Sequence, residues 1–313
     1  MDEFERIATY FAPLATDDGA FGLTDDAAAF TPPDGQQLVI TQDTLVEGIH
    51  FTGAEPAALI AQKALRVNLS DLAAKGAEPF GYLLSLSLSQ NYNEAWIADF
   101  CSGLAADQQR YDISLLGGDS TASNQGIVIT LTAIGYTPKI LRRSTAKAGD
   151  ILYVTGTIGD ATLGLQVAQG TINDSFLLHR YQLPQPRIEA ISLLREFATA
   201  AMDISDGLLQ DAQHLSAQSK LALRIRLDTI PLSDAAKPHA KTSDDYIALA
   251  TGGDDYECLF TVAPENRALL QERAAAQNIA IHAIGQCAQG NAITLSYDEK
   301  AIQLPSKLGY CHS

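Results

Sequence analysis

Positive charge is scarce in this chain: 21 Lys and Arg stand against 37 Asp and Glu over 313 residues, a formal net charge of −16. Phosphate backbones are gripped by basic surfaces, so nucleic acid is excluded as a partner. No apolar run approaches the ~20 residues of a membrane span, and no membrane association is expected. The opening Met1-Asp2-Glu3-Phe4-Glu5-Arg6 lacks the basic region and apolar core of a secretory signal. The four cysteines, Cys101, Cys258, Cys287 and Cys311, are scattered and form no C-x-x-C pair, which fits reduced thiols and a cytoplasmic location. Six histidines show no H-x-x-x-H spacing, so zinc is not expected. There is no G-x-x-x-x-G-K-[ST] segment, and no kinase-type glycine loop with its lysine strand and H-R-D loop. A nucleotide triphosphate would have to be handled without a P-loop.

Aspartates are what the chain has instead, each after an apolar run or beside glycine. Asp26 lies in Thr24-Asp25-Asp26-Ala27-Ala28, Asp43 follows Leu38-Val39-Ile40-Thr41-Gln42, and Asp71 closes Asn68-Leu69-Ser70-Asp71. Asp119 lies in Gly117-Gly118-Asp119-Ser120-Thr121, and Asp203 and Asp206 in Asp203-Ile204-Ser205-Asp206-Gly207. Carboxylates gathered at strand ends and turns repel one another unless cations are bound. Hard oxygen ligands select magnesium or calcium, and magnesium usually arrives with substrate phosphates. Metal-dependent phosphate chemistry is the first reading. Each segment alone reads more readily as an ordinary turn or helix cap, and it is their joint order that favours the functional reading.

Periodicity predicts an opening amphipathic helix (Phe4, Ile7, Ala8, Phe11), a strand near 37–41 and a helix from Pro56 to about Gly76. Further strands are predicted at 82–88, 113–116 and 127–134, with a helix at 95–106. This first half reads β-α-β-α-β-β, an α+β arrangement. The basic stretch Leu141-Arg142-Arg143-Ser144-Thr145-Ala146-Lys147 and the Gly149-Asp150 turn mark a boundary, giving domains 1–147 and 148–313. The second half, with strands near 151–155, 225–227 and 259–262 and helices after Ala161 and Gly207, reads as an α/β domain.

At this point whole motifs can be compared. Asp43-Thr44-Leu45-Val46-Glu47-Gly48-Ile49-His50-Phe51, Asn68-Leu69-Ser70-Asp71-Leu72-Ala73-Ala74, Gly117-Gly118-Asp119, Asp203-Ile204-Ser205-Asp206-Gly207-Leu208 and Gly252-Gly253-Asp254-Asp255-Tyr256-Glu257 resemble the thiamine-monophosphate kinase family. The match runs in order from about Gly22 to Tyr310. Some of its elements are shared with the wider aminoimidazole ribonucleotide synthetase-like superfamily. The resemblance implies that two-domain fold, with the N-terminal sheets of two subunits paired across a homodimer and ATP bound between domains. It implies ATP-dependent phosphorylation of thiamine monophosphate to thiamine diphosphate, with several Mg2+ ions and no protein general base. Asp26, Asp43, Asp71, Asp119, Asp203 and Asp206 correspond to magnesium ligands. Thr41, Gly118, Arg143 and Ser205 correspond to ATP contacts, and His50, Asp254 and Tyr310 to thiamine phosphate contacts. The chain departs from the pattern at Thr24, where glycine is common, at Gln42, where threonine is usual, and at the Gly309-Tyr310-Cys311-His312-Ser313 tail.

Two other classes stay open on the residues: another ATP-dependent enzyme of the superfamily, of the aminoimidazole ribonucleotide synthetase type, and an acidic protein binding calcium for structure. No D-x-[DN]-x-[DN]-G loop supports the latter.

Overall fold

The protein is described by a computed structural model covering residues 3–89 and 92–311. Asp2 and the His312-Ser313 end of the tail lie outside the described residues. The chain divides into two compact units, Met1–Leu72 with Ala77–Lys139, and Ala73–Gly76 with Ile140–Ser313.

The first unit opens on α1 (Glu3–Arg6), which continues as a π-helical turn Ile7–Phe11 and a 3-10 turn Ala12–Leu14, with Phe11 and Leu14 buried. A four-stranded sheet follows, built from β1 (Gln37–Val46), β2 (Glu78–Ser89), β3 (Ser114–Ser123) and β4 (Val128–Thr137) in the order β1-β4-β2-β3. All neighbours are antiparallel except β2 and β3. Two long helices, α2 (Ala57–Ala74) and α3 (Glu94–Tyr111), complete the expected β-α-β-α-β-β order. Asn93 starts α3 by accepting the Trp96 N–H, and Asp112, in a left-handed conformation, ends it. The buried Arg66 of α2 clamps the buried Asp107 of α3 with two hydrogen bonds of 2.7 Å each. A bidentate pair of this kind fixes the register of the two helices as well as neutralising both charges.

Two strands are longer than their apolar runs suggest, and both extensions carry site residues. β1 reaches Val46, so Asp43 lies inside the strand, opposite Leu131 of β4. β3 reaches Ser123, so Gly117-Gly118-Asp119 is strand and not the turn after it. A Cβ at Gly118 would stand 1.8 Å from the Leu84 carbonyl oxygen. Only glycine permits that approach of β3 to β2.

In the second unit, seven strands run in the order β11-β10-β7-β9-β5-β8-β6. They are β5 (Ile151–Thr155), β6 (Ala198–Ile204), β7 (Ala222–Arg226), β8 (Glu257–Val262), β9 (Ile281–Ala288), β10 (Ile293–Tyr297) and β11 (Lys300–Ile302). Alternation along β5 sends Leu152 and Val154 to one face and Tyr153 to the other. The first face packs with Leu208, Leu209, Ala212 and Leu215 of α7 (Leu208–Ser219). The second packs with α6 (Ile191–Phe197) and α9 (Arg267–Ala276) through Leu193, Leu194, Phe197, Leu270 and Ala274. With helices on both faces β8 is buried at every position, including its polar Glu257 and Thr261. Shorter helices α4 (Asp160–Ala168), α5 (Ser175–Gln182) and α8 (Ser243–Ala250) surround the loop that carries Gly252-Gly253-Asp254. Among the described residues no helix is long and apolar enough to cross a membrane.

Candidate active site

Thr41 and Asp43, two apart on β1, meet Asp71 in the last turn of α2. The Thr41 hydroxyl donates to the Asp71 carboxylate in a short hydrogen bond. Burial, followed by the charge of Asp71, pushes the Asp43 carboxyl up to about 6. Two carboxylates held this close favour a proton or a cation between them, and the donor set is all hard oxygen.

The turn that follows β1 fixes His50. Its main-chain N–H donates to the Val46 carbonyl at 3.0 Å, and the Val46 N–H donates to His50 Nδ1 at 2.9 Å. With Nδ1 accepting, a neutral imidazole carries its proton on Nε2, and His50 becomes a hydrogen-bond donor. The buried Lys63 ammonium donates to the His50 carbonyl at 3.1 Å. Glu47 anchors the same turn, accepting from the Ile127 N–H at 2.7 Å and the Tyr92 hydroxyl at 2.9 Å.

Asp26 and Asp119 meet elsewhere in this unit. Together with Asp25, Gly117, Gly118 and Ser120 they line a cleft of about 640 Å³ floored by Leu83, Leu84 and Leu116. Sheet register sets Asp43 on the row Leu131–Leu84–Gly118 and Asp119 on the neighbouring row Thr44–Thr130–Ser85. The first unit therefore holds two acidic groups, and among the described residues Asp71 is the carboxylate whose charge acts on Asp43. Gln42 makes a cross-strand contact, accepting from the Thr132 hydroxyl at 3.0 Å.

In the second unit, three segments distant in sequence are laced together by main-chain hydrogen bonds. The Asp254 N–H donates to the Ser205 carbonyl at 2.9 Å, the Tyr256 N–H to the Ile204 carbonyl at 2.8 Å, and the Tyr310 N–H to the Asp206 carbonyl at 2.9 Å. Gln210 adds a side-chain bond to the Tyr310 carbonyl at 2.7 Å. The approach is so close that a Cβ at Gly253 would lie 2.6 Å from the Ser205 carbonyl oxygen, and one at Gly309 2.5 Å from that of Asp206. Asp203, Ser205, Asp206, Asp254 and Tyr310 are thereby gathered in one place. Arg143 is on the same side, since its charge opposes the rise in the Asp211 carboxyl.

Backbone strain is present at this junction. Asp254 and Tyr256 both have left-handed backbones, with φ of 70° and 51°. Non-glycine residues in that region cost roughly 1–3 kcal/mol each and survive where surrounding contacts over-determine them. The Tyr256 hydroxyl reaches the Asp254 carboxylate at 3.3 Å.

Sequence comparison fits this layout. The family model for AIR synthase related protein, N-terminal domain, matches residues 24–137, and that for the C-terminal domain matches residues 147–298. The thiamine-monophosphate kinase of Caulobacter vibrioides is 40% identical over 320 residues, which cover 99% of this chain and 90% of that protein. The chain belongs to the thiamine-monophosphate kinase family. It is a kinase, and the two-domain fold is the one the resemblance implies. The crystal structure of thiamine-monophosphate kinase from Stenotrophomonas maltophilia K279a matches with a TM-score of 0.84 at 38% identity, covering 93% of this chain and 94% of that one. AaThiL complexed with AMPPCP and TMP matches with a TM-score of 0.78 at 28% identity, over 94% of this chain and 97% of that chain.

Two residues of the Gly252 to Glu257 motif, to which the resemblance assigned no role, support the junction from below. Glu257, fully buried, accepts from Arg187, from Arg180 at 3.0 Å and from Thr155 at 2.7 Å. Burial works to raise its carboxyl, but the arginines outweigh it and hold Glu257 below the ordinary range. Its neighbour Asp255 is pushed up to about 8 by burial and accepts the Gly159 N–H at 2.8 Å at the start of α4. The strained loop thus rests on a buried ionic base. Asp211, buried on α7, was likewise unmarked. It accepts the Ser205 and Asp206 N–H groups at 3.1 Å each and so shapes the Asp-Ile-Ser-Asp turn. Asp211 is the fourth residue of α7, near enough to the helix start for its carboxylate to bond main-chain N–H groups ahead of the helix, and that position was the available clue.

Proposed function

We propose that this kinase transfers the terminal phosphoryl group of ATP directly to the phosphate of thiamine monophosphate, yielding thiamine diphosphate. The observation that carries the reading is the lacing of Ser205 and Asp206 to Asp254 and Tyr310, because it puts groups suited to a metal–nucleotide complex next to groups suited to an organic cation. In this reading residues 1–147 form the nucleotide, metal and dimer domain, and residues 148–313 the second α/β domain.

The acceptor needs little activation. A phosphate monoester has its second pKa near ~6 and is largely a dianion at neutral pH, so no general base is required. The obstacle is charge: one pair of unit charges at ~4 Å costs about 4 kcal/mol at an effective dielectric of ~20. The carboxylates fit magnesium by their hard oxygens and by the crowding at Asp43. Asp26, Asp43, Asp71, Asp119, Asp203 and Asp206 would hold the ions, whose charge neutralises the phosphates and aligns them for in-line transfer. Thr41, Gly118, Arg143 and Ser205 contact ATP, with Arg143 the cation among them. His50, through Nε2–H, donates to the thiamine phosphate, while Asp254 and Tyr310 face the thiazolium cation.

The second copy belongs on the open face of the first sheet. Ile40 is 60% exposed there, Leu38 and Leu83 are 40% exposed, and the Thr44 and Thr130 hydroxyls pair at 2.8 Å on the same face. An apolar strand face of this kind suits sheet-on-sheet pairing in a homodimer. The four cysteines are free thiols, in keeping with a cytoplasmic enzyme.

Phosphorus NMR of ATP and thiamine monophosphate incubated with enzyme and Mg2+ tests the reading. Thiamine diphosphate and ADP in equal amounts are expected. ATP consumption only with an amide-bearing ribonucleotide, and none with thiamine monophosphate, would favour the ring-closing synthetase class instead.

A further inference from the structure

The Asp-Ile-Ser-Asp turn and the first turns of α7 bring three potential ligands together: one carboxylate oxygen each of Asp206 and Asp211 and one ring nitrogen of His214 all lie within 4.8 Å of one another. Asp211 and His214 are three apart on the helix and so share a side of it. Their burial differs in a telling way. His214 is exposed and Asp206 half-buried, whereas Asp211 retains 2% of its surface. Both main-chain bonds to Asp211 land on Oδ2. Among the described residues Oδ1 has no hydrogen-bond partner, yet it is not one of the fully enclosed orphan atoms. A buried carboxylate normally has its lone pairs satisfied, and here one oxygen is left to an occupant from outside.

We propose that Asp206, Asp211 and His214 form a divalent-cation site that prefers borderline metals, Co2+, Ni2+ or Zn2+, to Mg2+. The imidazole decides the class: nitrogen ligation suits zinc, nickel and cobalt, while magnesium keeps to oxygen and water. A metal ~2.1 Å from each ligand atom requires those atoms about 3–3.5 Å apart. Rotation of the exposed His214 side chain supplies most of that closure, with Asp211 already fixed by the turn. The site shares Asp206 with the magnesium set proposed above, but it does not rest on that reading, since the metal alone is the probe.

Tag-free protein without nucleotide is titrated with Co2+, and nitrogen ligation is read from the visible absorption of the bound ion. The parent is expected to show a saturable band that excess Mg2+ does not remove. His214→Ala, a change at an exposed side chain, should weaken the binding that gives this band at least about tenfold, with circular dichroism unchanged. Asp211→Gln, which moves the carboxyl position out of reach, should also weaken it. As a control that spares the turn, Asp211→Asn keeps an oxygen for the Ser205 and Asp206 N–H groups and should fold while losing affinity. Co2+ binding in His214→Ala equal to that of the parent, or displacement of Co2+ by Mg2+ at comparable concentration, overturns the proposal.

Discussion

The main-chain N–H of Val46 points at Nδ1 of His50 from 2.9 Å, so the last residue of a strand dictates which ring nitrogen of the histidine carries the proton. The other ring nitrogen, Nε2, then carries the proton.

That relationship predicts a graded series at His50. His50→Ala should raise the KM for thiamine monophosphate roughly 10- to 100-fold, the worth of a charge-assisted hydrogen bond, with the KM for ATP changed little. His50→Gln, whose amide nitrogen can stand where Nε2 does, should recover part of the loss, and His50→Asn should recover less. Initial rates against each substrate check this; a rise confined to the ATP KM would remove His50 from the acceptor site.

Asp43 should betray itself by pH. Its carboxyl is raised to about 6 from 3.8, so the metal-free folded state holds that proton more tightly than the unfolded chain. The stabilising contribution is complete below about 3.8 and is lost as pH rises through about 6. Asp43→Asn should therefore have a higher Tm than the parent above pH 6 without metal, while its Mg2+-dependent turnover falls at least ~100-fold. Thermal melts from pH 4 to 8 with chelator are the measurement. Parallel curves for parent and variant would mean that neither burial nor Asp71 raises the Asp43 carboxyl.

Arg143 and Asp254 should separate the two substrates. Arg143→Ala is expected to raise the KM for ATP by about tenfold or more, as loss of a charge-assisted contact would. Asp254→Ala should do the same for thiamine monophosphate while leaving affinity for an ATP analogue within a few-fold. Isothermal titration with each ligand distinguishes them, and an exchange of the two effects would swap the assigned sites.

The open sheet face predicts an oligomer. Placing a charge in the apolar strip by Ile40→Lys should convert a dimer to monomers, seen as a halved mass by light scattering after size exclusion. A parent that is already monomeric at micromolar concentration would remove the pairing.

Much of this architecture was legible because its signals are periodic. The Leu and Ser alternation of 82–88 announced β2, and the helical spacing of Leu59, Leu65, Leu69 and Leu72 announced α2. Strand ends were not legible where polar site residues continue the pleat: Gln42 and Asp43 extend β1, and Gly117 to Asp119 extend β3. The sheet's edges, the Ala-rich β6 and the three-residue β11, give too little periodic signal to be predicted, and β9 and β10 are likewise absent from the sequence reading. The site assignments rest on residues that sit in specific motifs. Supporting groups such as Arg180, Arg187 and Asp211 were missed, because their importance lies in burial and in partners 70 or more residues away, or in a bond to a main chain, and no local pattern records that.

The lacing of the second unit's loops by main-chain atoms separates framework from chemistry. Asp254, Tyr256 and Tyr310 are tied through their N–H groups to carbonyls of Ser205, Ile204 and Asp206, bonds that any non-proline residue at those positions can offer. Evolution is then free to exchange the side chains around the cradle while its shape persists, provided the glycines at 253 and 309 stay. A scaffold so constructed can be handed from one small phosphorylated ligand to another by changing a few rim residues, without refolding the cradle.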